Sequence, residues 1–247
     1  MIYFIGAGPG APDLITLRGA RLLSKADLVI YAGSLVNPEL LTLCPPTCTC
    51  LNSASMTLEQ VTDAMQACPG ETIVRLHTGD PSLYGAIREQ MEILDRLGLP
   101  YEVVPGVSSM SAAAAALRAE YTLPSVSQTV IISRMAGRTP VPEREQIRSL
   151  ARHRTTMVLF LSIAMLPDLC HELISGGYPP DTPAAVVYKA SWPEERVIRG
   201  TLSDLPEKAA DIRKTALVLV GDFLSGPGER SRLYDPGFTH AYREATE

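Results

Sequence analysis

The chain has 247 residues, 46% of them hydrophobic and 20% charged, with a formal net charge of -5 and a pI near 5.5. This composition is typical of a globular protein, and its acidic balance provides no overall field that would attract nucleic acid or an anionic membrane. The N-terminal apolar run ends at Ile5 without a basic region before it, and no run approaches the roughly 18 apolar residues of a membrane span. We therefore expect a cytoplasmic protein that binds neither nucleic acid nor membrane.

The first half of the chain alternates short apolar runs with amphipathic stretches. Strands are predicted at 2–5, 28–31, 48–51, 72–76 and 101–104, and helices at 14–25, 58–67, 83–97 and 108–119. Strands separated by helical patterns of about 10–15 residues indicate βαβ units and a largely parallel sheet.

The second half repeats this alternation after a connector at 121–127. Strands are predicted at 129–133, 156–161, 184–188, 196–200 and 216–220, and helices at 143–151, 165–174 and 205–212. The segment between 188 and 196 is too short for a parallel crossover, so these two strands should form a hairpin in a mixed sheet. We expect two α/β domains, residues 1–120 and 126–222, followed by a polar tail at 223–247.

A glycine-rich segment, Gly6–Ala11, follows the first predicted strand and precedes a helix. It fits the loose G-x-G-x-x-G/A pattern of dinucleotide-binding loops, which makes a nicotinamide cofactor one interpretation. Pro9 removes an amide donor where phosphate binding needs one, and residues 32–34 after the second strand, Ala-Gly-Ser, include no ribose-binding acid. A tight turn alone, or a turn beside a different cofactor, are the other interpretations.

Two further glycine-bearing turns follow predicted strands, at Thr78–Pro81 and Val104–Ser109. Asp80 fits a helix N-cap with Pro81 in the first helical position, and Gly79 lets a ligand approach the backbone. Because the carboxyl ends of parallel strands share one edge of a sheet, the three turns define one ligand site.

This site has few strong bases, which suits methyl transfer from a sulfonium. The positive charge on sulfur disappears in the transition state, so a neutral, dry, backbone-lined pocket favours the reaction. The main contribution of such a pocket is to place the methyl donor and acceptor in line.

Five cysteines are present, an odd number that does not suggest disulfides without a secretory context. Cys44, Cys48 and Cys50 lie close together in the sequence, and His77 is a conceivable fourth zinc ligand. The spacing contains no C-x2-C pair and no second ligand pair. We therefore predict unligated thiols and no metal site.

Taken together, the three loops resemble the tetrapyrrole methylase superfamily. Its motifs G-x-G-P-G-x-P-D-L-I-T, G-D-P and P-G-V-S/T-S/A are met by Gly6–Thr16, Gly79–Pro81 and Pro105–Ser109, and the resemblance extends to about Asp222. The combination is highly specific, although each motif alone is weak. The resemblance implies two α/β domains of the class III methyltransferase fold, a homodimer, and S-adenosyl-L-methionine folded into the cleft between the domains.

Within this superfamily, four stretches resemble the C11-methyltransferases that act on precorrin-4 or cobalt-precorrin-4 in cobalamin biosynthesis. They are Tyr31–Val36, His77–Ala86, Gly137–Glu143 and Val187–Pro193. The resemblance implies methyl transfer from S-adenosyl-L-methionine to C11 of precorrin-4, giving precorrin-5. Cobalt-precorrin-4 and other tetrapyrroles are the alternative acceptors.

The resemblance also implies a set of cofactor-binding residues. Those of the first domain are Pro9, Thr78, Gly79, Asp80, Leu83, Tyr84, Ser108 and Ser109, and those expected from the second domain are Leu161, Ala190 and Ala216. In the family, the last three positions contribute mostly backbone contacts to adenine. In this chain each of the three also suits a plain core role.

No catalytic base is assigned from the sequence. Some family members carry an aspartate after the second strand that has been a candidate base, but this chain has Gly33 there, which leans the interpretation toward the cobalt-free substrate. Asp80 is a weak candidate base, and its interpretation as a cap and cofactor-orienting residue is stronger. The proton could instead leave the macrocycle after methyl transfer.

The implied substrate carries many carboxylates, which arginine binds in a bidentate manner. Arg134 and Arg138, which follow the first strand of the second domain, are therefore predicted to contact the substrate, with Lys189 as a further candidate. Solvated surface side chains are the alternative interpretation.

Other classes of function stay open at this point. A methylase of the same superfamily could act at a different ring carbon, on uroporphyrinogen, on diphthine or on ribosomal RNA, although the acidic pI disfavours RNA. The Gly-rich loop leaves an NAD-linked oxidoreductase as an alternative. A non-catalytic tetrapyrrole-binding protein is a third option.

Overall fold

A computed structural model of the chain describes residues 1–226, 229 and 231–246, so the predicted tail lies partly outside the described residues. The chain divides into two compact units, residues 1–113 with 189–195 and residues 114–188 with 196–247. The division falls within a helix instead of in the predicted connector at 121–127. The segment 189–195, which joins two strands of the second unit, belongs to the first.

The first unit contains a five-stranded sheet in which every neighbouring pair is parallel. Its strands are β1 (Ile2–Gly6), β2 (Leu28–Tyr31), β3 (Thr49–Asn52), β4 (Ile73–His77) and β5 (Tyr101–Val104), in the order β3-β2-β4-β1-β5. The parallel arrangement confirms the prediction from the βαβ alternation. It brings the loops after β1, β4 and β5 together at the carboxyl ends of the strands.

Helices α1 (Leu17–Leu23), α2 (Leu58–Ala67) and α3 (Arg88–Leu97) connect strands of this sheet, and α4 (Ser109–Leu117) follows β5. α1 begins later than predicted because the Thr16 hydroxyl accepts a hydrogen bond from the Gly19 N–H at 3.1 Å and caps the helix there. α3 also begins later, since Tyr84 and Ala86 have φ of +57° and +49°, which no right-handed helix accommodates. The predicted helix opening at Pro81 was therefore wrong.

Two apolar layers cover the two faces of this sheet. Ile5, Val29 and Leu76 pack into one layer, and Phe4 and Ile30 pack into the other. The alternation follows from the two-residue repeat of a strand, whose side chains point to opposite faces.

The second unit contains a mixed five-stranded sheet. Its strands are β6 (Val130–Arg134), β7 (Thr156–Phe160), β8 (Pro183–Tyr188), β9 (Arg196–Thr201) and β10 (Ala216–Val220), in the order β6-β7-β10-β8-β9. Only β6 and β7 are parallel, and β8 and β9 form the hairpin that their short connection predicted. Buried apolar side chains such as Leu159, Leu173 and Val218 form one core.

The helices of this unit are α5 (Ile147–Leu150), α6 (Leu166–Gly176) and α7 (Leu205–Lys208). α5 is shorter than predicted because Gln146 adopts an extended conformation, with ψ of 144°, and separates it from a preceding 3-10 turn. No helix within residues 1–226 or 231–246 is long and apolar enough to cross a membrane.

Candidate functional site

The loops after β1 and β4 are joined directly through their backbones. The Gly79 N–H donates to the Gly8 carbonyl at 2.8 Å, and the Gly8 N–H donates to the Gly79 carbonyl at 3.3 Å. Both glycines have positive φ, +80° for Gly8 and +60° for Gly79, a conformation that side-chain-bearing residues rarely adopt. The glycines of the two motifs therefore allow this bridge.

The loop after β5 packs against the same bridge. A Cβ atom added to Gly6 would lie 2.5 Å from the Gly106 Cα and 2.5 Å from the Gly79 carbonyl oxygen. Carbon atoms in contact are normally about 3.5–4.0 Å apart, so a side chain cannot be accommodated at this point. The three glycine motifs thus meet at a single backbone crossing.

Asp80 ties the loop after β4 to the loop after β5. Its Oδ2 accepts a hydrogen bond from the Gly106 N–H at 2.8 Å, and its Oδ1 accepts from the Ser82 N–H at 2.8 Å and from the Ser82 hydroxyl. Partial burial opposes ionisation, but these hydrogen bonds prevail and lower the pKa of Asp80. Asp80 therefore caps a turn, and its carboxylate is ionised at neutral pH.

The segment 189–195 holds the Gly-rich loop after β1. The Trp192 Nε1–H donates to the Pro9 carbonyl at 3.0 Å, and the Ala11 N–H donates to the Ser191 hydroxyl at 3.0 Å. The buried Asn37 side chain completes this support by donating to the Gly10 carbonyl at 2.9 Å. These contacts could not be predicted from the sequence, because nothing local marks two segments 180 residues apart as neighbours.

The same hydrogen bonds leave the Gly-rich loop poorly suited to bind a pyrophosphate. The Ala7 N–H donates to the His77 carbonyl at 2.7 Å, and the N–H groups of Gly8 and Ala11 are also engaged within the protein. Pro9 has no N–H at all. A dinucleotide loop needs free amides that point at the ligand, so this geometry disfavours the nicotinamide interpretation.

The first unit contains nine of the eleven predicted cofactor-binding residues. They are Pro9, Thr78, Gly79, Asp80, Leu83, Tyr84, Ser108, Ser109 and Ala190. Gly79 lies directly against the loop after β5, since a Cβ atom on it would be 3.5 Å from the Ser109 N atom. Ala190 was expected in the second domain together with Leu161 and Ala216, but it lies in segment 189–195 of the first unit.

Leu161 and Ala216 lie at the same end of two neighbouring strands of the second sheet. Leu161 follows β7 and Ala216 begins β10, and these strands are antiparallel. Arg134 ends β6, which runs parallel to β7, so Arg134 lies at the same end of the sheet. Leu161 is 67% exposed, which argues against the alternative core role for its side chain.

Several positive-φ residues coincide with predicted site positions or adjoin them. Tyr84 and Leu161 have φ of +57° and +53°, Lys189 and Ser191 flank Ala190 with +46° and +67°, and Thr215 precedes Ala216 with +55°. Such conformations each cost about 1–3 kcal/mol and tend to occur at ligand-binding sites. Other described residues with positive φ, among them Arg118, Ser125 and Arg154, lie away from these positions, so the site residues stay predictions.

The three predicted substrate-contacting cations differ in their surroundings. The Arg134 guanidinium donates to the carbonyls of residues 135, 139 and 140 at 3.4, 3.2 and 2.8 Å, so it braces its own loop. Lys189 forms an ion pair with Glu194 at 3.4 Å and lies 5.3 Å from the centre of the Trp192 ring. Arg138 is exposed at the loop tip, and no hydrogen bond or ion pair joins it to another described residue.

Gly33 occupies the position where some family members have an aspartate. Its φ is +58°, and an added Cβ atom would lie 3.0 Å from the Ala54 Cβ and 3.3 Å from the Asn52 Oδ1. A carboxylate-bearing residue would therefore be strained here. The local backbone is adapted to glycine.

Strand β4 also carries a buried charged side chain, Arg75, that was not among the predicted functional residues. The Arg75 side chain donates to the Gln90 Oε1 and to the Ile30 carbonyl, each at 3.1 Å, and Gln90 donates to the Ala86 carbonyl at 2.9 Å. Burial lowers the pKa of Arg75 to about 10. The available signal was an arginine between the apolar residues Val74 and Leu76 of β4, and the network links β4 to the turn that carries Tyr84.

Comparison with known proteins identifies the family. The model of the Tetrapyrrole (Corrin/Porphyrin) Methylases matches residues 1–206. The chain belongs to this methylase family. A cobalt-precorrin-4 C(11)-methyltransferase of Methanocaldococcus jannaschii is 50% identical over 99% of this chain and 96% of its own. A precorrin-4 C(11)-methyltransferase of Pseudomonas aeruginosa is 47% identical over 98% of each chain.

Solved structures of tetrapyrrole methylases share the fold. A cobalt precorrin-4 methyltransferase matches with a TM-score of 0.88 and 48% identity, over 92% of this chain and 96% of that chain. A uroporphyrin-III C-methyltransferase of Thermus thermophilus, complexed with S-adenosylhomocysteine, matches with a TM-score of 0.77 and 29% identity, over 91% and 98%. The predicted α/β class and methylase fold are confirmed.

Proposed function

We propose that the protein transfers a methyl group from S-adenosyl-L-methionine to C11 of precorrin-4, giving precorrin-5, in cobalamin biosynthesis. The observation that carries this proposal is the crossing of three glycine motifs, closed by Asp80, in a tetrapyrrole methylase. Relatives named as C11-methyltransferases of precorrin-4 or cobalt-precorrin-4 match nearly the whole chain at 47–50% identity.

The crossing of the loops after β1, β4 and β5 would hold the cofactor. Gly79 and Ser109 supply backbone and hydroxyl groups beside the bridge, and the Asp80 carboxylate keeps the loops together. S-adenosyl-L-methionine supplies an electrophilic methyl group when it is bound. The protein's own part is to position this group and exclude water, because a neutral pocket favours a reaction in which the sulfonium charge disappears.

Methyl transfer in this protein would need no strong base. C11 of the macrocycle attacks the methyl carbon, the carbon–sulfur bond breaks to give S-adenosylhomocysteine, and a ring proton leaves afterwards. Gly33 offers no carboxylate, and the hydrogen bonds to Asp80 lower its pKa and thus weaken it as a base. Both observations support catalysis by orientation.

Of the three predicted substrate-contacting cations, Arg138 is the one that we propose binds a substrate carboxylate. It is exposed on the loop after β6, whereas Arg134 donates to three loop carbonyls and Lys189 is paired with Glu194. Arg134 would therefore hold the loop in the shape that presents Arg138.

Cobalt-precorrin-4 is the second candidate substrate. Relatives named for this substrate, such as the Methanocaldococcus jannaschii protein at 50% identity, match this chain as completely as the precorrin-4 enzymes do. We also propose a homodimer, which sedimentation of the purified protein would test. A monomer at micromolar concentration would refute that part of the proposal.

The first test is calorimetric titration of the protein with S-adenosylhomocysteine and, separately, with NADH. Micromolar binding of the first and none of the second is expected, and binding of NADH alone would overturn the proposal.

The second test incubates the protein with S-adenosyl-L-methionine carrying a ¹³C-methyl group and either precorrin-4 or its cobalt complex. A ¹³C-methyl group bonded to C11 of either product supports the proposal and identifies the substrate, whereas a labelled methyl group on another ring carbon contradicts it.

A further inference from the structure

Three cysteine thiols come together at the edge of the first sheet. The Sγ atoms of Cys44, Cys48 and Cys50 all lie within 4.8 Å of one another. Cys44 and Cys48 are half-buried and Cys50 is exposed. The spacing in the sequence did not predict this cluster, which results from a turn and a strand that face each other.

The local backbone explains why the three side chains converge. The Cys44 N–H donates to the Leu41 carbonyl at 3.2 Å, and the Cys48 N–H donates to the Pro45 carbonyl at 2.9 Å, so the chain reverses between the first two cysteines. Cys50 lies in edge strand β3 opposite Val29, whose side chain belongs to the same apolar layer against which Cys44 and Cys48 pack. All three thiols therefore lie on one face of the sheet.

His77 does not join this cluster. Its ring packs 6.0 Å from the ring of Phe4, which belongs to the apolar layer on the other face of the sheet. Within the described residues, the candidate ligand set contains the three cysteines alone. His77, which the sequence offered as a fourth ligand, is therefore not available to this cluster. The open side of the cluster is the side on which Cys50 is exposed to solvent.

We propose that Cys44, Cys48 and Cys50 form a binding site for a thiophilic d¹⁰ metal ion such as Zn²⁺ or Cu⁺. In a tetrahedral site with Zn–S bonds of about 2.3 Å, the sulfur atoms lie about 3.8 Å apart, which small rotations of these side chains can reach. An all-sulfur set selects soft ions and disfavours Mg²⁺ and Ca²⁺, which prefer oxygen. The fourth position faces solvent, so a water molecule or a small thiol completes the site.

The expected role of the ion is structural and is independent of the proposed methyl transfer. Cys48 and Cys50 lie near the beginning of β3, whereas the glycine motifs follow the carboxyl ends of β1, β4 and β5. Because β3 is parallel to its neighbour β2, the cluster lies at the opposite end of the strands. A bound ion would pin the 44–48 turn to the edge strand and stabilise the first unit.

The test is a titration of the full, reduced protein with Cd²⁺, followed by ultraviolet absorbance of the sulfur-to-cadmium charge transfer. Wild type should saturate at one ion per chain, and Cys50→Ser, which alters only an exposed side chain, should lose the saturable band. Cys68→Ser is the matched control, since Cys68 is a half-buried free thiol packed on the opposite face of the sheet, and it should behave as wild type.

A second measurement makes the outcome independent of the spectroscopy. One equivalent of Zn²⁺ should raise the melting temperature of wild type and Cys68→Ser but not of Cys50→Ser, because an ion that binds only the folded state stabilises it. Absence of a charge-transfer band in wild type, or an equal band in Cys50→Ser, would overturn the proposal. Neither result depends on S-adenosylhomocysteine binding.

Discussion

The Asp80 carboxylate accepts a hydrogen bond from the Gly106 N–H at 2.8 Å, so one side chain joins the loops after β4 and β5. Asp80→Asn keeps the shape but removes the ionised acceptor, whose hydrogen bonds are worth about 1.5–3 kcal/mol against about 1 kcal/mol for neutral ones. We expect the Kd of S-adenosylhomocysteine to rise about tenfold, as measured by calorimetry.

Asp63→Asn provides the control for Asp80, because Asp63 is an exposed carboxylate on α2 outside the candidate site. It should leave the Kd unchanged. An Asp80→Asn protein that binds S-adenosylhomocysteine as tightly as wild type would show that the carboxylate does not organise the cofactor loops.

The backbone crossing at Gly106 predicts a large effect of a single methyl group. In Gly106→Ala the new Cβ atom would lie 2.6 Å from the Gly6 Cα, so the loops must move apart. Overpacking of this kind costs about 1–3 kcal/mol of unfolding free energy, measured by urea denaturation, and should abolish S-adenosylhomocysteine binding. Gly237→Ala is the control, since its Cβ atom meets only the Asp235 Oδ1 at 3.5 Å. Equal stability of the two variants would contradict the crossing.

Buried His77 predicts a specific dependence of stability on pH. Burial, with the adjacent Arg75 charge, lowers the pKa of His77 to about 3, and its Nε2 has no hydrogen-bond partner among the described residues. The unfolded chain takes up a proton near pH 6.5, so this contribution to stability is complete above pH 6.5 and is lost as the pH falls toward 3. The loss approaches about 1.4 kcal/mol per pH unit.

Replacement of the ring tests this interpretation. His77→Phe should flatten the fall in unfolding free energy between pH 6.5 and 5, measured by urea titration at each pH. His153→Phe, at an exposed histidine of the second unit, should retain the wild-type slope. The same slope in His77→Phe as in wild type would mean that His77 is not held neutral in the folded protein.

The contrast between Arg134 and Arg138 predicts different defects for two neighbouring variants. Arg138→Ala should raise the KM for the tetrapyrrole about tenfold, the loss expected for one charge-assisted hydrogen bond, while calorimetry gives an unchanged Kd for S-adenosylhomocysteine. Arg134→Ala should instead lower the melting temperature, because it removes donors to three loop carbonyls.

Arg152→Ala is the control for these variants. Arg152 is exposed and precedes β7. Because β6 and β7 are parallel, Arg152 lies at the opposite end of these strands from the loop that follows β6. Its KM should equal that of wild type. An unchanged KM in Arg138→Ala would remove Arg138 from the substrate contacts.

Strands β2, β5 and β10 and helix α2 have the bounds that the sequence predicts. Their signals are local, since an apolar run or a 3.6-residue repeat indicates a strand or helix wherever its neighbours lie. The start of α3 at Arg88 was not predictable in this way. It depends on the left-handed turn at Tyr84 and Ala86. Gln90 donates a hydrogen bond to the Ala86 carbonyl and accepts one from Arg75 in β4, so the turn depends on a residue in a different strand.

The sequence by itself determined the α/β class, the mixed second sheet and the three glycine motifs, because each depends on residues close together in the chain. Only the tertiary structure decided which distant groups meet: Trp192 with the Pro9 carbonyl, Asp80 with Gly106, and three cysteine thiols on one sheet face. Such contacts depend on the register of strands and the path of loops, which no local pattern encodes. The motifs therefore indicated a methylase, whereas the convergence of the three thiols became visible only in the folded chain.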